Sequence, residues 1–285
     1  MHQDTRARLA FKAYEIEELV DVYFYRRLGY VVALAARGLR LSPNVVSAAA
    51  GVIGALGGAL IVSPRLAIMG IGLLVLYGVV DSADGQLARM TERTSELGRL
   101  LDGLAGYATH IAIYLSIFVI EWRAGAGAWT LGAVVVSALC SAIHAQMYDY
   151  HRTAYAAQVI HGRLPVELTT LSAEGTMGRL VGVYSATQRA LLGGHREVER
   201  AIAERAVDGR VSDADRQRYR DCFYGPVRAW NLCGDNVRRY GVAACVLAHH
   251  PEWFVPFTLG PMNVVLVMAW LYQRAADRRF LAASA

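Results

Sequence analysis

"LAIMGIGLLVLYGVVDSADGQLARMTERTSELGRLLDGLAGYATH", residues 66–110, decides how this chain is read. Fifteen uncharged residues, 66–80, run into Asp81 and Asp84 with no turn residue between them. An apolar run of that length reads as a helix, and the helical spacing continues toward Ala88. An ionisable side chain in a membrane helix is expensive, so it is a functional candidate by default. Asp81 and Asp84 are three apart and share one helical face. Gly85 removes a side chain beside them and lets another group come close. After a short polar turn, Asp102 opens the next apolar run. Three carboxylates are thereby expected at the inner ends of two antiparallel helices.

The rest of the chain fits a membrane setting. Of 285 residues, 55% are hydrophobic, and the mean hydropathy is +0.29. That is too apolar for a typical soluble domain. A span needs about 20 mostly apolar residues. Candidates are 45–62, 66–80 continuing toward 88, 103–120, 124–148 and 254–272. A sixth is weaker. Residues 241–248 are apolar but few, and they reach span length only if the helix starts near Ala229 and carries Asp235, Arg238 and Arg239. The expected fold is all-α integral membrane, with six transmembrane helices. Ahead of them, residues 1–43 have apolar residues at helical spacing with charges between, as in an amphipathic helix lying in the interface. Residues 44–285 form the membrane domain. It carries a polar, Arg-rich helical insertion at about 151–228, as in "HREVERAIAERAV". "SPN" at 42–44 starts the first span, with Ser42 as its cap.

Of 29 Lys and Arg, only Arg65 and Arg123 fall on one side of this layout. The positive-inside rule then puts both termini and the acids on the cytoplasmic side; the expected location is a bacterial inner membrane. The net charge of +5 reflects this topology and contact with anionic headgroups. Nucleic acid is not the expected partner, because the basic residues lie in loops flanking spans. The four cysteines form no C-x-x-C pair and are expected to stay reduced. The first forty residues are too charged for a cleavable signal peptide. A transporter would want its acids near mid-membrane, and these sit at helix ends.

Converging carboxylates suit a hard divalent cation, completed by phosphate and water oxygens. Arg89, farther along the same helix, can face the same phosphates. The segment resembles the signature of the CDP-alcohol phosphatidyltransferase family, D-x2-D-G-x2-A-R-x8-G-x3-D-x3-D. Asp81, Asp84, Gly85, Ala88, Arg89, Gly98 and Asp102 match it in residue and spacing. The motif spans about a tenth of the chain. "LSPNVV", containing Asn44, resembles the family's usual start to the first span. The resemblance implies transfer of a phospho-alcohol group, such as phosphatidyl, from a CDP-alcohol such as CDP-diacylglycerol to an acceptor hydroxyl, releasing CMP. It implies Asp81, Asp84 and Asp102 as ligands to Mg²⁺ or Mn²⁺, two ions in the family. It implies Gly85, Ala88, Arg89 and Asn44 at the nucleotide donor, and a homodimer among membrane lipids.

The family's fourth Asp, its proposed base, falls at Gly106. Three replacements stand open. His110 is one turn on and leans back toward the gap, and an imidazole suits the task. Tyr107 would need a one-residue bulge, which Gly103 and Gly106 permit. Asp149 lies at the inner end of the fourth span. Arg152, Arg238 and Arg239, with Asp235 and Asn236, are acceptor-site candidates, although snorkelling to lipid phosphate is the commoner role for such Arg. The alternative function is a catalytically impaired relative that binds CDP-lipid and metal or serves as a partner subunit.

Overall fold

The computed structural model describes residues 14–93, 96–165 and 192–283, without the side chains of Tyr14, Glu96, Leu97, Arg99, Leu100 and Asp102. The described residues are helical, broken only by turns and two isolated bridges. The chain clusters into two compact units, Met1–Ser141 with Asp235–Pro261, and Ala142–Gly234 with Met262–Ala285.

In the first unit, a short π turn, Asp21–Tyr25, leads into α1, Arg26–Gly38. α1 buries Gly29, Ala33 and Ala36 at helical spacing and exposes Leu28, Val31 and Leu34. α2, Pro43–Leu60, starts where the sequence marks it. Ser42 is extended, its hydroxyl accepts from the Val45 N–H at 3.3 Å, and Pro43 takes the first helical position. Such a cap is worth about 1 kcal/mol. α3, Ala67–Thr91, carries the acids and ends at Glu92, which adopts a left-handed φ of 54°. α4 is Glu96–Arg123, and α5 is Ala128–Tyr155.

α2, α3 and α4 pack through small residues. Apolar burial drives little helix association in lipid, so close backbone approach must do the work. A Cβ on Gly51 would stand 3.1 Å from the Cβ of Ala105. One on Gly58 would meet the Ile113 backbone nitrogen at 2.9 Å, and one on Gly57 the Gly70 carbonyl at 2.9 Å. Ser116 donates to the Gly58 carbonyl at 2.8 Å and ties α4 to α2. These contacts set the register: α2 runs parallel to α4 and antiparallel to α3. α8, Asp235–Leu247, joins this unit. It shares a core with Leu74, Ile113, Ile117 and Phe254, which belongs to the four-residue helix α9, Phe254–Phe257.

The second unit contains the later part of α5, then α6, His195–Ala203, α7, Asp213–Trp230, and α10, Asn263–Ala282. Its interior holds polar groups among rings. His195, fully buried, stands 2.8 Å from Asp277 through Nδ1 and 3.1 Å from the Tyr219 hydroxyl through Nε2. A carboxylate only accepts, so Nδ1 carries the proton and Tyr219 donates to Nε2. Burial, with Glu199 and Asp277 nearby, pushes the Tyr219 phenol well above its ordinary value. His151 stacks on Trp230 at 4.8 Å, and Trp230 donates to Gln273 at 3.2 Å.

Among the described residues, five helical stretches are long and apolar enough to cross a membrane: Pro43–Leu60, Ala67–Thr91, Gly103–Arg123, Ala128–Ile160 and Pro251–Ala282. The protein is an all-α membrane protein. The expected sixth helix differs. Asn231–Cys233 form a 3₁₀ turn and Gly234 is extended, with ψ of 171°, so α8 starts at Asp235 and not near Ala229. Its 13 residues span about 20 Å at 1.5 Å each, short of a hydrocarbon core of about 30 Å.

Candidate active site

The two faces of α3 serve different neighbours. Ser82 and Gln86 face α1: the Gln86 amide donates to the Arg26 carbonyl at 3.0 Å and to Ser82 at 3.2 Å. Asp84 faces α2. It is buried, and the Ser47 hydroxyl stands 2.5 Å from its Oδ2. Asn44 lies one turn before Ser47 and is half-buried. Asp81, also half-buried, precedes Asp84 by one turn.

Among the described residues, a Cβ on Gly85 would meet only the Arg89 guanidinium, at 3.4 Å. The space beside Gly85 is thus open and rimmed by a cation. Asp84, Glu17 and Arg26 are the charges that act on Arg89, and Arg26 is paired with the buried Glu17 at 3.0 Å. Ala88 is half-buried on the same turn. Asp102 lies in α4, but its side chain is outside the described residues. The register still places its backbone. Ala105 packs on Gly51, so residue 102, one turn earlier, is level with Ser47 and hence with Asp84. Among the described residues no group of three His, Cys, Asp or Glu gathers for a metal. Asp81 and Asp84, hard oxygen donors on adjacent turns, have the chemistry that a divalent cation with phosphate needs.

At Gly106 the gap is real. Among the described residues, a Cβ there would have one neighbour, the Tyr77 hydroxyl at 3.7 Å. His110 Nδ1 lies 2.9 Å from the Gly106 carbonyl. Its Nε2 faces Asp235 Oδ1 at 3.9 Å. Tyr107 is 49% exposed and α4 is regular, so no bulge turns it into the gap. Asp149 is exposed on α5 and belongs to the second unit.

The acceptor-site arginines have partners within the protein. Arg238 is buried, donates to the Ser141 carbonyl at 2.6 Å and pairs with Asp235. Arg239 donates to Asn236 at 3.2 Å and lies over the rings of Tyr25 at 5.0 Å and Tyr77 at 5.4 Å. Asn236 in turn donates to Glu18 and Asp21, each at 3.0 Å. Arg152 pairs with the Tyr148 hydroxyl and lies over its ring. Sequence reasoning missed Ser47 and Tyr77. Ser47 had a faint signal, one helical turn after Asn44.

The model of the CDP-alcohol phosphatidyltransferase family matches residues 40–183, half of the chain. The chain belongs to the CDP-alcohol phosphatidyltransferase family. No curated protein and no solved structure matches it. The matched stretch runs from before Ser42 to beyond the end of α5, so it includes every motif residue from Asp81 to Asp102. The family's general reaction is transfer of a phospho-alcohol group from a CDP-alcohol to a hydroxyl, and the family is generally dependent on divalent metal.

Proposed function

We propose that this chain is an active member that moves a phosphatidyl group from CDP-diacylglycerol to an acceptor hydroxyl in phospholipid synthesis, at the cytoplasmic face of a bacterial inner membrane. The observation that carries the proposal is Asp84, buried and hydrogen-bonded by Ser47. It lies level with Asp102 of α4 and one turn from Asp81. Asp81, Asp84 and Asp102 would hold Mg²⁺ or Mn²⁺, which neutralises the donor diphosphate and polarises its phosphoryl oxygens. Gly85 and Ala88 leave room for the cytidine nucleotide, Arg89 pairs with phosphate, and Asn44 lines the same level. His110 is the base. With Nδ1–H given to the Gly106 carbonyl, its lone pair is at Nε2. Nε2 takes the proton of the acceptor hydroxyl. The acceptor oxygen bonds the phosphorus of the phosphatidyl group, and the bond to CMP breaks, its electron pair leaving with CMP. Positioning supplies most of the rate in such a displacement.

The test is CMP release from CDP-diacylglycerol by membranes containing the full chain, with polyols, polyol phosphates, amino alcohols and lipids as acceptors. Metal-dependent release with one acceptor class is expected. Asp81→Asn abolishes it, and His110→Ala lowers it about 100-fold or more. A Cβ at 106 meets the Tyr77 hydroxyl at an ordinary contact distance, 3.7 Å, so Gly106→Asp added to His110→Ala is expected to restore activity. Gly106 also favours a second reading, a relative that binds CDP-lipid and metal without turnover. Nucleotide binding by calorimetry with no CMP release from any acceptor would select it.

A further inference from the structure

We infer that Asp235, on α8, is a positioning residue that holds and charge-matches the His110 imidazole. The inference rests on the proposal that His110 is the base. One chain of contacts crosses the first unit. The Ser141 carbonyl accepts from Arg238 at 2.6 Å, Arg238 pairs with Asp235, Asp235 faces His110 Nε2 at 3.9 Å, and His110 Nδ1 is fixed on the Gly106 carbonyl at 2.9 Å. Arg238 is buried while Asp235 is half-exposed. The anchored end therefore lies inside the protein and the open end lies beside the imidazole. The family-matched stretch ends at residue 183, so neither Asp235 nor Arg238 comes with the motif.

The geometry divides the work. The Gly106 carbonyl can only accept, so it forces the proton onto Nδ1 and leaves Nε2 as the basic nitrogen. When Nε2 takes the acceptor proton, a cation forms opposite the Asp235 carboxylate. The charges acting on His110 are Asp235, Arg238 and Arg239, all from α8. Tyr77 of α3 faces Gly106 one turn away, and α2 presents Gly51, Gly54 and Gly58 to α4. Among the described residues, Asp235 is thus the one carboxylate set against two guanidiniums. Without it, the imidazolium would form beside cations alone.

The experiment follows the ¹⁵N shifts of His110 in the full chain in nanodiscs, identified by their loss in His110→Ala. The wild type is expected to show the Nδ1–H tautomer with titration at Nε2. Asp235→Asn should lower the titration midpoint by at least about half a pH unit, because a facing negative charge is gone. Asp235→Glu should hold it. CMP release in the same variants should show a kcat lower by about tenfold or more for Asp235→Asn, an acid limb moved to lower pH, and an unchanged KM for CDP-diacylglycerol. If Asp235→Asn does not fold, Arg238→Gln carries the test with the opposite sign, a raised midpoint. A midpoint that stays fixed when either charge is removed overturns the inference. A His110→Ala variant with wild-type turnover overturns the base assignment instead, whatever the midpoints do.

Discussion

The Ser47 hydroxyl stands 2.5 Å from a carboxylate oxygen of Asp84, within the packed face between α2 and α3. Removing it leaves a buried carboxylate short of one donor, which costs about 1–3 kcal/mol. Groups that orient a metal ligand typically change metal affinity by about 10–100-fold when lost. Ser47→Ala is therefore expected to raise the Mn²⁺ concentration for half-maximal CMP release about tenfold or more, with little change in KM for the donor. An unchanged metal dependence would remove Ser47 from the site. The acids and Gly85 were legible because their spacing is local. The Ser47–Asp84 pair joins residues 37 positions apart, so only the packed helices reveal it. The same holds for Arg238 and Arg239. Their positions suggested phosphate binding, and the structure adds partners within the protein that the sequence did not show: Ser141 and Asp235 for Arg238, Asn236 and two tyrosine rings for Arg239.

At the level of elements, the small-residue face of α2 fixes how far the acid-bearing ends stand apart. Gly58 is backed by the Ile113 backbone nitrogen, and backbone cannot yield as a side-chain tip can. Gly72 on α3 has open space around it. Gly58→Leu is expected to force α2 and α4 apart, lower the Tm in detergent by several degrees and remove donor binding. Gly72→Leu should leave both near the wild type. Equal effects would show that helix propensity, not contact, governs these sites. Helix existence was readable across the apolar runs, since period and length agree there. The start of α8 was not. Its first turn is polar, and the stop comes from the extended Gly234, which apolar counting does not weigh.

For the whole molecule, the second unit adds a polar interior that hydropathy does not describe. The Tyr219–His195–Asp277 chain is buried, so its members fix α6, α7 and α10 to one another. The Tyr219 phenol is held well above its ordinary value by burial. A raised value means that the unfolded chain gives up this proton first. Stability is therefore whole below about pH 10 and is lost as pH rises beyond that. Tyr219→Phe should flatten this alkaline loss, while costing about 1–3 kcal/mol at neutral pH because His195 loses its donor. Thermal unfolding from pH 7 to 11, followed by hydrogen exchange at α7 amides, would measure both. A slope unchanged in the variant would move the alkaline loss to other groups. In the sequence this unit showed the ends of two apolar spans and a polar helical segment, but not their contacts, which join side chains from three separate stretches.

The order of the two units along the chain has a consequence for biosynthesis. The first unit comprises Met1–Ser141 and Asp235–Pro261, so it is interrupted by Ala142–Gly234. A ribosome adding about 5–20 residues per second needs roughly 5 to 20 seconds for those intervening residues. Through that interval Tyr25 and Tyr77 wait without the Arg239 guanidinium that later covers them, and His110 waits without Asp235. The acid-bearing helices α3 and α4 are therefore made well before α8, so the contacts of Asp235 and Arg239 with them form by a late docking of α8 onto helices already present.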